Sequence, residues 1–416
     1  MTEVNQGNDT ARDFDVVLFG ATGFTGRQTV AYFSRHAPTS VRWAIAGRNA
    51  AALDDVARAW GDPPRIVCDS HDPAACAALA RRTRIVLTTV GPYVLHGQAL
   101  VEACVEARTH YVDITGETAW VRDLVDRFHE TAAANATRIV PFCGFDSVPS
   151  DLGTLIAVEH LRRAHGTGCR RIRAFHRGRG GINGGTIASF LAMQESGAAA
   201  RMRDPVLLNP PGMREQNRPE AESDPLLPQW EPDLKAFSAP FIMGPINTRV
   251  VRRSAALEAT WQQPYGDGFR YQEYWKGEGV FGLAETVGMA WSQAIFPLLA
   301  GVGPLRGLLK RMLPEPGSGP SEAVMDNGFF RCELIAEGED DRRIRVVIAG
   351  EGDPGNRATV KMLCESALAL ALDAEHLPGA PDRGGILTPA TALGQVLRGR
   401  LENAGVEIRI DDPWNP

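Results

Sequence analysis

From Phe14 to about Ser150 the chain repeats one unit: a short run of β-branched and apolar residues, a turn, then a segment with apolar positions at three-and-four spacing. The runs read DVVLFG, RWAIAG, RIVCD, RIVLTTVG, THYVDITG and RIVPFCG. They are continuously apolar rather than alternating, as in strands covered on both faces of a parallel sheet. Six such units predict a Rossmann-type, doubly wound α/β domain over 13–155, with ligands beyond the carboxyl ends of its strands.

After a helix beginning near Pro149 the rhythm stops. RRIRAFHR, from Arg170, reads as a strand followed by a Gly-rich turn and a helix, and further strands are expected near 248–252, 268–275, 328–336 and 342–350. These predict a second, α+β domain over 165–352 with a mostly antiparallel sheet. Positions 204–240, rich in Pro and Asp, read as a long surface excursion. Thr286 to Leu305 carries no charge, but Pro297, Pro304, several Gly, Ser292 and Gln293 interrupt it, so a buried or substrate-covering helix is expected rather than a membrane span. Arg306, Lys310 and Arg311 follow and keep open a membrane or partner surface over 286–311. The last 60 residues return to helix, ATVKMLCESALALAL and ILTPATALGQVLRGRL, then a strand, GVEIRI; helices within 356–416 are expected to complete the first domain.

Composition narrows the function classes. The 416 residues are 44% hydrophobic and 23% charged, as in an ordinary globular protein that can bury a full core. A net charge of -6 gives no field to attract nucleic acid. Seven cysteines without a C-x-x-C pair fit neither a disulfide framework nor a zinc ribbon, and the polar start, MTEVNQGNDTARD, lacks a signal peptide's apolar region, so a cytoplasmic protein is expected.

The chemistry concentrates at the predicted strand ends. Gly20-Ala-Thr22-Gly23-Phe24-Thr25-Gly26 lies directly between strand DVVLF and a helix. Gly20 permits the tight turn, Gly23 lets a pyrophosphate approach the backbone, Gly26 packs helix on sheet, and the helix N-terminus offers free N–H groups to phosphate. The second strand ends AIAGRN, with Arg48 where NAD enzymes carry a carboxylate; its guanidinium suits the 2′-phosphate of NADP(H). Asp69, ending the third strand, is a candidate adenine contact, and Val90, Gly91, Pro92 and Tyr93 end the fourth near the ribose. Proton donors are sought in Tyr93, His96 and Asp146; Asp113, Glu117 and Asp151 also stand at strand ends or helix starts, where carboxylates are often caps. The Tyr-x-x-x-Lys of short-chain dehydrogenases is absent, as are H-E-x-x-H, G-x-S-x-G and Walker sequences, and no metal ligand set is expected.

GATGFTG, AGRN, TTVGPYVLHG, YVDITGE, CGFDSVPSD, NTRVVRRS, PEPGSGPS and ILTPATALG together resemble the saccharopine dehydrogenase-like oxidoreductases, and among them the trans-acting enoyl reductases of phthiocerol and phenolphthiocerol lipid synthesis. The resemblance spans nearly the whole chain. It implies an NADP(H)-binding Rossmann domain, a reductase-like second domain that also serves assembly, and acyl or polyketide-type substrates; a carrier-bound substrate, a membrane or synthase contact through 286–311 and a homodimer are kept as further expectations. Two alternatives stay open. Arg170, Arg171, Arg173, Arg177 and Arg179 would suit a dicarboxylic amino acid, as in saccharopine dehydrogenases, and a non-catalytic NADP-binding scaffold on a lipid or synthase surface would need no proton donor.

Overall fold

A computed structural model describes residues 12–181, 184, 189, 201–217, 223–301 and 317–414. Its first layer is a parallel sheet of β1 (Phe14–Phe19), β2 (Trp43–Gly47), β3 (Arg65–Val67), β4 (Thr83–Thr88), β5 (His110–Val112), β6 (Arg138–Val140) and β13 (Gly385–Ile386), in the order β13-β6-β5-β4-β1-β2-β3. The apolar runs are buried because helices cover both faces: α1 (Phe24–His36) and α2 (Ala50–Ala59), and α3 (Pro73–Arg82), α5 (Gln98–Ala107) and α6 (Thr118–Ala134), among others. The order reverses between β1 and β4, the switch point at which such sheets bind ligands. The chain's last third returns here. β13 extends the sheet beyond β6, and α12 (Thr359–Leu372) lies against α1, where Glu365 accepts from Tyr32 Oη at 2.7 Å and from Arg400 Nε at 2.8 Å.

The second sheet contains β7 (Cys169–Arg179), β8 (Gln229–Glu231), β9 (Ala236–Pro240), β10 (Arg270–Lys276), β11 (Phe329–Gly338), β12 (Arg343–Glu351) and β14 (Glu407–Asp411), in the order β14-β12-β11-β7-β10-β9-β8. Every pair is antiparallel except β7 with β10. The closing strand, GVEIRI, therefore joins this sheet rather than the first. Between the layers runs α7 (Val148–His165), which leaves the end of β6 and packs on β11 so closely that a Cβ at Gly153 would lie 2.7 Å from Leu334 Cδ1. Apolar residues of both sheets, from Val16 and Leu18 to Leu334 and Val346, form one continuous core cluster.

Three sequence expectations are corrected. Residues 248–252 are not a strand but part of α9 (Gly244–Thr260), which starts with Pro245 in its first turn. The block TRVVRRS looks extended because its β-branched pair is flanked by charges, yet the arginines point inward: Arg249, Arg252 and Arg253 are all buried. They hold main-chain carbonyls. Arg249 donates to Asp204 O and Met202 O, Arg252 to Pro205 O, and Arg253 to Leu208 O and Ile386 O, while Arg122 of α6 donates to Leu207 O and Asn209 O. Positions 204–209 are consequently no surface excursion; Val206, Leu207, Leu208 and Asn209 are buried, and 229–240 forms β8 and β9. The uncharged stretch is helical within α10 (Gly282–Gly301), but it is not buried throughout: Thr286 is buried, whereas Val287 and Trp291 are exposed, as are Phe281 and Leu283 just before it. Residues 302–305, with Arg306, Lys310 and Arg311, lie outside the described residues, as does most of the Gly-rich segment after β7.

Candidate active site

The glycine turn joins β1 to α1. Gly20 adopts φ +91° and takes bonds from both sides: its N–H donates to Ala46 O at 2.9 Å and its carbonyl accepts from Gly23 N at 3.1 Å. A Cβ on Gly26 would fall 2.0 Å from Gly20 O, so this glycine lets the helix approach the strand. Gly23 is different. It is exposed, with an ordinary extended backbone (φ -71°, ψ 169°), and an added Cβ would meet only Gly20 O, at 3.4 Å. It leaves room outside the protein, not inside. No side chain caps α1, so its first N–H groups face outward, the arrangement that takes a pyrophosphate. Thr22 O accepts from Arg27 and Thr25 O from Thr29, while a Cβ on Gly319 would lie 2.3 Å from the Phe24 ring, placing Gly319 against the turn.

Arg48, just past β2, is exposed and forms no hydrogen bond or ion pair among the described residues. Asp69, past β3, is exposed and accepts from His71 N at 2.9 Å. These are residues that fit NADP(H): an open turn, an uncapped helix start and a free guanidinium at the adenosine side. Val90 closes the turn from the β4 side, its Cγ2 standing 2.6 Å from where a Gly20 Cβ would be, and Gly91 and Pro92 lead into the short helix α4 (Tyr93–His96).

The proton-donor candidates separate. Tyr93 is buried; its hydroxyl donates to Thr88 O at 3.2 Å and accepts from Ile114 N at 3.4 Å, its ring stacks on Trp120, and burial pushes its pKa well above the usual value. It is a wall residue. His96 turns away from the β5–β6 side, toward the adenosine side, with Nδ1 2.9 Å from His71 Nε2. Glu117 caps α4, accepting from Tyr93 N and Val94 N at 2.9 and 2.7 Å. Asp113 accepts from Tyr111 Oη, Thr115 N and Phe142 N, and Asp151 from Ser254 Oγ and Ala390 N; both are buried structural carboxyls, raised to about 7 by desolvation.

Asp146 is the candidate that faces the second sheet. Burial, then the nearby Glu273, raise its carboxyl to about 6 against the opposing pull of His176. Behind it lies a buried polar chain that spacing in the sequence could not reveal, since it draws on α7, β7, α9, β10 and β11. Ser147 Oγ donates to Asn247 Oδ1 at 3.0 Å; Asn247 Nδ2 and Tyr271 Oη donate to Glu273 at 2.9 and 2.7 Å; His176 Nε2 stands 3.6 Å from Glu273 Oε2, 3.4 Å from Ser150 Oγ and 3.7 Å from Cys332 Sγ. The imidazole stacks on Phe241, with centroids 4.2 Å apart. Burial alone would lower its pKa, but Cys332 and Glu273 carry it to about 10. His176 Nδ1 is buried with no hydrogen-bond partner among the described residues.

The arginines of β7 do not converge on a ligand. Arg170 pairs with Asp341, Arg173 with Glu231 and Asp233, and Arg177 with Glu278 and Glu285, while Arg179 donates to Asn327 O. Among the described residues one group of metal-ligand types does meet: His160 and His165 both contact Asp412 Oδ2, at 2.7 and 2.6 Å. Arg342 Nη1 lies 2.9 Å from His165 Nδ1, an unfavourable neighbour for a bound cation. All seven cysteines are free and buried, and no described helix is long and apolar enough to cross a membrane.

A family profile described as the saccharopine dehydrogenase NADP binding domain matches residues 16–140. A Mycobacterium tuberculosis protein provisionally named a trans-acting enoyl reductase is 41% identical, covering 96% of this chain and 98% of its own length. A trans-acting enoyl reductase of Mycobacterium ulcerans is 36% identical, covering 95% and 97%. Among solved structures, saccharopine dehydrogenase (L-Glu forming) from Saccharomyces cerevisiae shares the fold, with a TM-score of 0.52 at 12% identity over 96% of this chain and 99% of its own. With that cradle, that sheet order and full-length relatedness, the chain is an NADP-dependent oxidoreductase and belongs to the family of the trans-acting enoyl reductases.

Proposed function

We propose that the protein reduces the carbon–carbon double bond of an α,β-unsaturated acyl or polyketide thioester presented in trans on a carrier. The observation that carries this reading is the shape of the carboxyl edge of the parallel sheet: an open phosphate cradle at β1 and β2, and a carboxyl, Asp146, at β6 facing the second sheet. Gly23 and the start of α1 take the pyrophosphate, Arg48 the 2′-phosphate, and Asp69 the adenine, with Val90 to Pro92 beside the ribose. Bound there, NADPH supplies a hydride. The protein's own task is then to hold the thioester and deliver one proton, which we assign to Asp146. Tyr93 has its hydroxyl committed to the main chain, and His96 lies toward the other end. A carboxyl whose pKa is near the working pH is suited to that transfer.

The ion-paired arginines of β7 weigh against a dicarboxylic amino acid as substrate. The exposed Phe281, Leu283, Val287 and Trp291 favour a carrier, synthase or lipid contact near α10. The test is loss of NADPH absorbance with crotonyl thioesters of N-acetylcysteamine and of an acyl carrier protein, the saturated product being identified by mass spectrometry. NADPH binding without turnover of either thioester, at any chain length tried, would leave the scaffold reading standing.

A further inference from the structure

His96 was singled out by the sequence as an acid, and the proposed chemistry does not use it. Its surroundings point to another task. His71, in the loop after β3, and His96, at the end of α4 after β4, precede α3 and α5, and these two helices lie side by side on one face of the sheet. Their packing brings the two imidazoles together, with Nδ1 of His96 2.9 Å from Nε2 of His71 and the rings edge to face at 4.9 Å. Arg48 stands close enough to act electrostatically on His96, and it has no anionic partner among the described residues. Three basic side chains thus gather at the side of the cradle where the adenosine half belongs.

We infer that the His71–His96 pair, together with Arg48, forms a proton-linked seat for the 2′-phosphate of NADPH, taking up one proton as the phosphate binds. The inference rests on the cofactor reading above. A neutral imidazole pair holds one N–H···N bond; adding one proton keeps that bond and turns an acceptor ring nitrogen into an N–H donor for a phosphate oxygen. In the free protein, burial, then His71 and Arg48, lower the pKa of His96 below its usual 6.5, partly offset by Asp69. His96 is therefore neutral at pH 7 before the cofactor arrives. The other charged groups at this place are accounted for: Asp69 accepts from His71 N, and Asp72 caps α3 by accepting from Ala74 N and Ala75 N. A phosphate dianion raises the imidazole pKa, so affinity grows as pH falls from the bound pKa toward the free one. The phosphate's own second ionisation, near pH 6, works in the opposite direction.

The experiment is calorimetric titration of the full chain with NADPH and with NADH at pH 7, in buffers of different ionisation heat, with fluorescence titrations at about pH 6 and pH 8. Net proton uptake is expected with NADPH and none with NADH, and the NADPH preference should rise up to about tenfold for each unit by which the phosphate shifts the pair. His96→Asn and His71→Asn, each checked by thermal melting, should abolish the uptake while Arg48 still favours NADPH over NADH. Equal proton uptake for the two cofactors, or uptake unchanged in both variants, would overturn the seat. Failure of either cofactor to bind at any pH would instead overturn the cofactor reading itself.

Discussion

The two ends of the carboxyl edge are built on opposite principles. Past β1, β2 and β3 the edge is open: Arg48, Asp69 and His71 are exposed, Gly23 meets almost nothing, and α1 begins without a side-chain cap. Past β5 and β6 the edge is closed, with Asp113, Ser147 and Ser150 buried against α7 and the second sheet, and Asn247, Tyr271 and Glu273 joined by hydrogen bonds of 3.0 Å or less. A site that binds a ready-made phosphate needs donors left unsatisfied, whereas a site that shifts a proton needs low dielectric and fixed partners. Substitutions at the open end should therefore move binding without stability, and those at the closed end should move turnover or stability without cofactor affinity.

The sharpest form of that contrast is Gly23→Val. Its φ suits any residue and the protein leaves its Cβ space, so the melting temperature should stay unchanged while NADPH binding by calorimetry disappears. At the closed end, Asp146→Asn should lower kcat about 10²- to 10⁴-fold with NADPH affinity unchanged. Because the protonated carboxyl is the active form and burial raises it to about 6, wild-type turnover should fall as pH rises through that value, and the variant should lose this limb. Equal loss of NADPH binding in Asp146→Asn would dissolve the division between the ends.

Arg253→Met tests the scaffold beneath both. It strips Leu208 O and Ile386 O of a charged donor and should cost about 3 kcal/mol in denaturant unfolding, with the loss seen in stability first. Arg48→Ala should reduce the preference for NADPH over NADH by about 1.5 to 3 kcal/mol, roughly ten- to a hundredfold, in paired titrations, with no change in melting. Smallest is Tyr93→Phe. Losing a hydrogen bond to Thr88 O should cost about 1 kcal/mol of stability and leave kcat within about twofold, whereas a large kcat defect would return Tyr93 to the chemistry.

The parallel domain was legible along the chain because each of its features is local. A strand covered on both faces is apolar throughout, a tight βα turn needs glycine at fixed offsets, and Arg48 follows its strand directly; six strands and the glycine turn stand where the runs place them. The site's far half was not legible. His176, Asn247 and Glu273 sit on separate elements with no common spacing, and only the pairing of β7 with β10 and β11 sets His176 beside Glu273 and Cys332. His96 shows the same limit from the other side, since its position after β4 suggested the reacting end while the packing of α3 on α5 turned it toward His71. The arginines of α9 stand in a stretch that reads as a strand, yet the stretch is helical and each arginine is buried, donating to main-chain carbonyls from 202–209 and from β13. What the amino-acid sequence determined by itself was the period-bound part, the sheet and its phosphate turn. What only the tertiary structure decided was which distant polar groups are buried together, because burial and hydrogen-bond satisfaction are properties of the packed whole and leave no periodic trace in the chain.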